Sequence, residues 1–151
     1  MTGIPKRVGA GCGVVLLRDG KVLLGHRHED PEKAQSALHG EGTWSIPGGK
    51  FDFGDTLGGG AVREVAEETG IEISTKDLKV VSISSERVPD AHFITLGFVC
   101  ENFKGEPKIM EPEEITEWRW FDIHDLPEPM FFPAKKVINN YLSGKMYNLD
   151  E

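Results

Sequence analysis

GGKFDFGDTLGGGAVREVAEETGI, residues 48–71, runs from a glycine turn into an acidic helix, and its patterning sets the fold and the chemistry of the chain. From Leu57 to Thr69, Leu57, Ala61, Val65 and the neighbouring Val62 fall on one apolar stripe at helical spacing, and Gly70 stands where a helix stops. The other face is acidic. Glu64, Glu67 and Glu68 are related by i, i+3 and i+4, so their carboxylates emerge together. Like charges at that spacing disfavour an isolated helix by about 0.2–0.5 kcal/mol per pair, a penalty that a cation among them removes. A solvated helix face is the bland explanation of such a triplet, but Pro47-Gly48-Gly49 lies just before it. That turn can bring backbone carbonyl or amide groups close to the acids, for metal or for phosphate. Magnesium suits such a site, because it takes oxygen ligands and is shared between a few carboxylates and substrate phosphates.

Outward from this segment, strands and one further helix are expected. Val8 to Leu17 is small and β-branched, Asp19-Gly20 offers a tight hairpin, and Lys21 to Gly25 resumes an apolar strand. Residues 29–42 are polar, contain Pro and Gly, and read as a long exposed loop. Thr43 to Ile46, Leu78 to Ser84, His92 to Cys100 and Glu117 to Phe121 read as strands, and Ala134 to Leu142 as a closing helix after Pro133. Strands interrupted by one central and one terminal helix indicate an α/β domain, its mixed sheet covered on both faces. With no repeat and no linker, residues 1–151 read as a single domain.

Composition narrows the partners. The 25 acidic residues against 17 basic ones give a formal net charge of -8, which argues against nucleic acid polymers and anionic membranes but not against a small anionic ligand. Only Cys12 and Cys100 are present, both in apolar runs, and buried free thiols fit a reducing cytosol. The first 13 residues lack the apolar stretch of a signal peptide, and no run approaches the roughly 18 apolar residues of a membrane span. A cytoplasmic protein is expected, with a homodimer left open beside the monomer.

Gly49, Asp55, then Arg63-Glu64-Val65-Ala66-Glu67-Glu68-Thr69-Gly70-Ile71 resembles the signature of the Nudix hydrolase family, Gly-x5-Glu-x7-Arg-Glu-U-x-Glu-Glu-x-Gly-U, where U is a bulky aliphatic. All its defined positions match except Asp55, one methylene shorter than the signature Glu. Asp52 likewise stands where relatives often carry Glu. The resemblance implies a Nudix-type α/β/α sandwich and an Mg2+-dependent hydrolase, with Mn2+ as a second ion, acting on a nucleotide phosphoanhydride. It implies that Glu64, Glu67 and Glu68 bind the metal with a Gly48 or Gly49 carbonyl, and that Arg63 orients them. The general base is then Glu67, or Glu117 in TEWRWFDI, with Glu111, Glu113 and Glu114 as rival acids. Gly58-Gly59-Gly60 places poor helix formers in the first helical turn, each about 1 kcal/mol worse than Ala, so a loose turn is expected there.

For the substrate, Phe131 and Phe132 in MFFPAKK resemble the base-holding segment of MutT-type relatives, with Lys135 where an asparagine reads oxidised guanine in them. Arg27, between His26 and His28 at the end of the second strand, can meet phosphates. The same aromatics serve equally as core, and the basic residues as an exposed edge. The resemblance favours a nucleoside triphosphate giving the monophosphate and pyrophosphate. ADP-ribose or a nucleotide sugar is the enzymatic alternative: its hydrolases often carry a proline about 16 residues past the signature, and Pro89 lies 18 past Ile71. A non-catalytic nucleotide-binding module is the alternative of another class.

Overall fold

The computed structural model describes residues 6–34 and 36–151; the remainder of the N-terminal reading lies outside the described residues. The strands are β1 (Val8–Arg18), β2 (Lys21–Arg27), β3 (Trp44–Ser45), β4 (Gly48–Lys50), β5 (Lys79–Val88), β6 (Ala91–Cys100) and β7 (Ile115–Asp122). The helices are α1 (Pro31–Ala34), α2 (Leu57–Thr69) and α3 (Phe132–Ser143), with a 3-10 turn at Thr75–Asp77.

β1 organises the sheet. It runs parallel to β6 from Val8 to Leu16, antiparallel to β4 at Gly11–Gly13, and meets β2 antiparallel only next to their hairpin. β2 carries β7 and β3, while β5 flanks β6, so the sheet is mixed as expected. Because side chains alternate along a strand, β1 feeds two cores. Cys12, Val14 and Leu16 pack with Ala61 and Val65 of α2, and with Phe98 and Cys100. Val15, with Val22, Leu24 and Val99, packs against Ala134, Val137 and Ile138 of α3. The result is an α/β/α sandwich, and among the described residues no helix is long and apolar enough to cross a membrane.

Three local readings change. The glycine turn is a strand: Gly48–Lys50 pairs with Gly11–Gly13, and a Cβ at Gly48 would be driven into the Cys12 carbonyl, so close strand approach demands glycine. The stretch 29–42 is not uniformly exposed. It contains the short α1, and Ala34, Leu38 and Gly40 are buried. The first turn of α2 is regular despite its glycines, with the Thr56 hydroxyl accepting from the Gly59 N–H at 2.9 Å. A Cβ at Gly60 would meet the Phe51 ring at 2.5 Å, so that glycine makes room for packing.

Candidate active site

The carboxylates of α2 face the glycine strand because β4 and α2 are joined by a tight turn, Phe51–Thr56, which brings the helix back over the strand it left. Glu64 presses against Gly49: a Cβ there would lie 2.5 Å from Glu64 Oε2. The Gly48 N–H donates to Glu68 Oε2 at 3.4 Å. Glu67 projects outward with half of its side chain exposed.

Arg63 ties this end together. Its Nη1 donates to Glu64 Oε1 at 2.9 Å and to Glu67 Oε2 at 3.3 Å. Its Nη2 donates to Asp55 Oδ2 at 2.9 Å and to the Lys50 carbonyl at 3.3 Å, and pairs with Asp52 Oδ2 at 3.3 Å. The planar guanidinium can satisfy several carboxylates in fixed directions, which a lysine cannot. Asp55 also accepts the Asp52 N–H at 2.7 Å, and these bonds hold its carboxyl below the usual range, the backbone N–H first and Arg63 second. Its shorter side chain closes the turn and anchors Arg63.

These groups border a cavity of about 410 Å³ lined by two unlike sets of residues. Gly48, Gly49, Glu64, Glu68, Glu111 and Glu114 form its acidic end, Leu38, Ile46, Phe93, Phe131, Ala134 and Val137 its apolar end, and in the sheet β1 separates β4 of the first from β6 of the second. Burial, reinforced by the charge of Glu64, pushes Glu68 well above the usual carboxylate range. Glu64 is raised by burial against the pull of Arg63, and Glu111 by burial and by its neighbours Glu114 and Glu64. Such crowded acids call for a cation. Burial also pushes the Cys12 thiol in this wall up to about 12, which leaves it protonated and inert.

The other residues singled out from sequence separate. Glu117 does not border the cavity; on β7 it pairs with Arg119 at 2.9 Å, beyond an irregularity in the β2–β7 register at Thr116 that separates it from Ile115, whereas Glu111 and Glu114 border the cavity. Arg27 borders the cavity, but its guanidinium is committed: it donates to the carbonyls of Ala34 and Gly40 and lies 4.9 Å from the centre of the Phe131 ring. It fastens the 29–42 loop to the start of α3. Phe131 lines the cavity, whereas Phe132 is outside it and packs edge-on to Phe131 at 6.0 Å. Lys135 is exposed on α3 and not part of the lining. Phe93, Thr95 and Leu38 join the lining without having been singled out from sequence. For Phe93 and Thr95 a signal exists, since alternation along β6 puts them on one face with Gly97. Leu38 lies in a polar stretch without periodicity.

Among the described residues no three acidic, histidine or cysteine side chains already form a closed metal cage. The donors present still fit magnesium, which usually takes one or two protein carboxylates and fills its remaining positions with water and substrate oxygens. Glu64, Glu68 and a glycine carbonyl make such an open set.

Known proteins agree with this architecture. A family model described as NUDIX domain matches residues 5–141. The chain is 32% identical over 131 residues to an ADP-ribose pyrophosphatase of Methanocaldococcus jannaschii, covering 87% of this chain and 71% of that protein. It is 32% identical over 136 residues to the NAD-capped RNA hydrolase NudC of Pseudomonas putida, where 90% of this chain spans only 43% of the relative. A crystal structure of a MutT NUDIX hydrolase from Burkholderia pseudomallei superposes with a TM-score of 0.78 at 27% identity, covering 89% of this chain and 98% of the other. With the signature helix, the glycine strand and the sandwich all in place, the chain belongs to the Nudix hydrolase family.

Proposed function

We propose that the chain cleaves a phosphoanhydride bond of a nucleoside triphosphate in the cytoplasm, releasing the monophosphate and pyrophosphate, with magnesium as its ion. The carrying observation is the polarity of the cavity, with carboxylates and glycine backbone at one end and aromatic and apolar side chains at the other. A nucleotide has the same polarity. At about 410 Å³ the cavity is small for a ligand site and suits one nucleoside better than two.

Glu64 and Glu68 hold the ion, with a Gly48 or Gly49 carbonyl as a further oxygen. When bound, the ion screens phosphate charge and lowers the pKa of water. Arg63 keeps Glu64 and Glu67 oriented before substrate arrives. Glu111, whose raised pKa moves it toward the range of an effective base, is the acid that suits proton transfer better than Glu117. It takes the proton of the attacking water as the new oxygen–phosphorus bond forms and the bridging bond breaks. Phe131, Phe93 and Leu38 hold the base and exclude water from it.

ADP-ribose is the second reading, and the 32% identical relative from M. jannaschii favours it. Release of phosphate products from nucleoside triphosphates, ADP-ribose and dinucleotides, each with magnesium, decides between them, with Glu68→Gln as background. Turnover confined to ADP-ribose removes the triphosphate assignment. No turnover above that variant removes the enzymatic mechanism as written.

A further inference from the structure

The sheet face beneath α3 is polar along β5, where packing calls for apolar side chains. Ser82, Ser84 and Glu86 pair with Gly97, Thr95 and Phe93. Directly opposed residues share a face. A Cβ at Gly97 would collide with Val137 of α3, which fixes this as the face α3 covers. Ser82 is satisfied there, its hydroxyl accepting from Asn140 Nδ2 at 2.9 Å.

The other two are not satisfied. Among the described residues, Ser84 Oγ and Glu86 Oε1 are buried with no hydrogen-bond partner. Glu86 is 0% exposed. Its second oxygen has only Lys136 Nζ at 3.4 Å, and that ammonium makes its closer bond, 2.9 Å, to the Ser85 carbonyl. A buried carboxylate oxygen without a donor is among the least favourable arrangements a core can hold. Something must complete it.

The cavity lies alongside. Phe93 and Thr95, the cross-strand partners of Glu86 and Ser84, line its apolar end, as do Ala134 and Val137 from α3. The unsatisfied oxygens therefore stand beside the lining residues Phe93 and Thr95, behind the wall against which the base would rest. We infer that Glu86 is a specificity-determining residue: its free oxygen, beside the Ser84 and Thr95 hydroxyls, accepts hydrogen bonds from an amino group on the edge of a nucleobase at this end. The inference rests on the reading that the cavity holds a nucleotide. A carboxylate accepts and cannot donate, so it favours an amino-bearing base and repels a carbonyl oxygen in the same place. The Phe93 ring already lies over Gly9 of β1, on the side away from β5, with Lys50 Nζ 5.4 Å from its centre.

The test compares kcat/KM for pairs that differ at one amino group, GTP against ITP and CTP against UTP, in the wild-type chain, Glu86→Gln and Ser84→Ala, with thermal unfolding of each. The wild type should favour the amino-bearing member of at least one pair. Glu86→Gln should reduce that preference about tenfold or more, mainly through KM, leaving the other member nearly unchanged. Ser84→Ala should move it the same way by less, and it carries the test should Glu86→Gln fail to fold. Equal loss on both members would make Glu86 a structural partner of Lys136, and no change would assign a trapped water to the gap. Either result overturns the inference and leaves the hydrolase reading standing. Absence of turnover with every nucleotide would remove both.

Discussion

The two ends of the cavity are built in different ways. The acidic end comes chiefly from one continuous stretch, Gly48 to Glu68, in which a three-residue strand, a tight turn and a helix fold back on each other around Arg63. The apolar end is gathered from four places: the 29–42 loop, the edge of β3, the start of β6 and the start of α3. A site made by one local segment keeps its chemistry wherever that segment folds. A site assembled from distant segments can change its ligand by changing any of them. The comparison predicts that reaction type resides at the first end and substrate choice at the second.

The largest expected effect tests the first half. Glu68→Gln should lower kcat by roughly three powers of ten, because charge stabilisation by a bound ion is worth several kcal/mol. Stability should move the other way. Burial and Glu64 already hold the Glu68 carboxyl well above its usual range, so a neutral amide relieves like-charge crowding. The metal-free variant should unfold at the same temperature as the wild type or higher. Parallel loss of activity and melting temperature would show that Glu68 is structural and that the reaction chemistry lies elsewhere.

A smaller effect is expected one step behind the acids. Arg63→Lys keeps the charge but loses the fork that reaches Asp55 and Glu64 at 2.9 Å each. Metal affinity should fall about 10–100-fold, the usual effect of losing a group that orients ligands. Titration of magnesium against activity measures it directly. Unchanged affinity would mean that the turn itself, without Arg63, fixes Glu64.

Legibility in the sequence follows the same division. The spacing of Glu64, Glu67 and Glu68 needs only helical geometry, so the acidic face is legible from the residues alone. The order of strands and helices and the mixed sheet follow from periodicity in the same way. The glycine strand reads locally as a turn because pairing with Gly11–Gly13 is a tertiary fact that Pro47-Gly48-Gly49 does not encode. From the residues alone Glu117 is preferred as base to Glu111 and Glu114 for a like reason: which of these acids border the cavity is set by the segment before β7, which has no local signature. Arg27 has the expected location but a different task, since its partners are backbone carbonyls that composition cannot reveal. At the apolar end, Leu38 and Glu86 depend on which segments pack together, and neither has a periodic signature that separates it from its neighbours.

Phe131→Ala probes the apolar end. Stacking of a base on an aromatic ring is worth roughly 1–3 kcal/mol, so KM should rise about 5- to 100-fold with kcat little changed. The ring also receives the Arg27 guanidinium at 4.9 Å, so the variant should loosen the 29–42 loop as well. Phe131→Leu separates the effects, because it restores apolar contact without the flat face. A fall in kcat equal to the rise in KM would mean that the apolar end takes part in the chemical step.

The smallest effect concerns how the distant segments are held together. His39 Nε2 lies 3.0 Å from Asp90 Oδ1, joining the 29–42 loop to the β5–β6 turn. Hydrogen bonding to Asp90 raises the pKa of His39, and the same contact lowers that of Asp90; Glu41 adds to the rise at His39. The histidine's contribution is fully present below its unfolded value near 6.5 and is lost as pH rises through its higher folded value. The aspartate's contribution is present above its unfolded value near 3.8 and is lost as pH falls through its lower folded value. The contact is therefore strongest in the mildly acidic range and slackens toward alkaline pH. Both groups are exposed, so global stability should barely respond. Amide exchange of residues 36–42, corrected for its intrinsic pH dependence, should quicken above neutrality in the wild type and show no such step in His39→Asn. A step of equal size in both would place the titrating group elsewhere and leave the loop held by Arg27 alone.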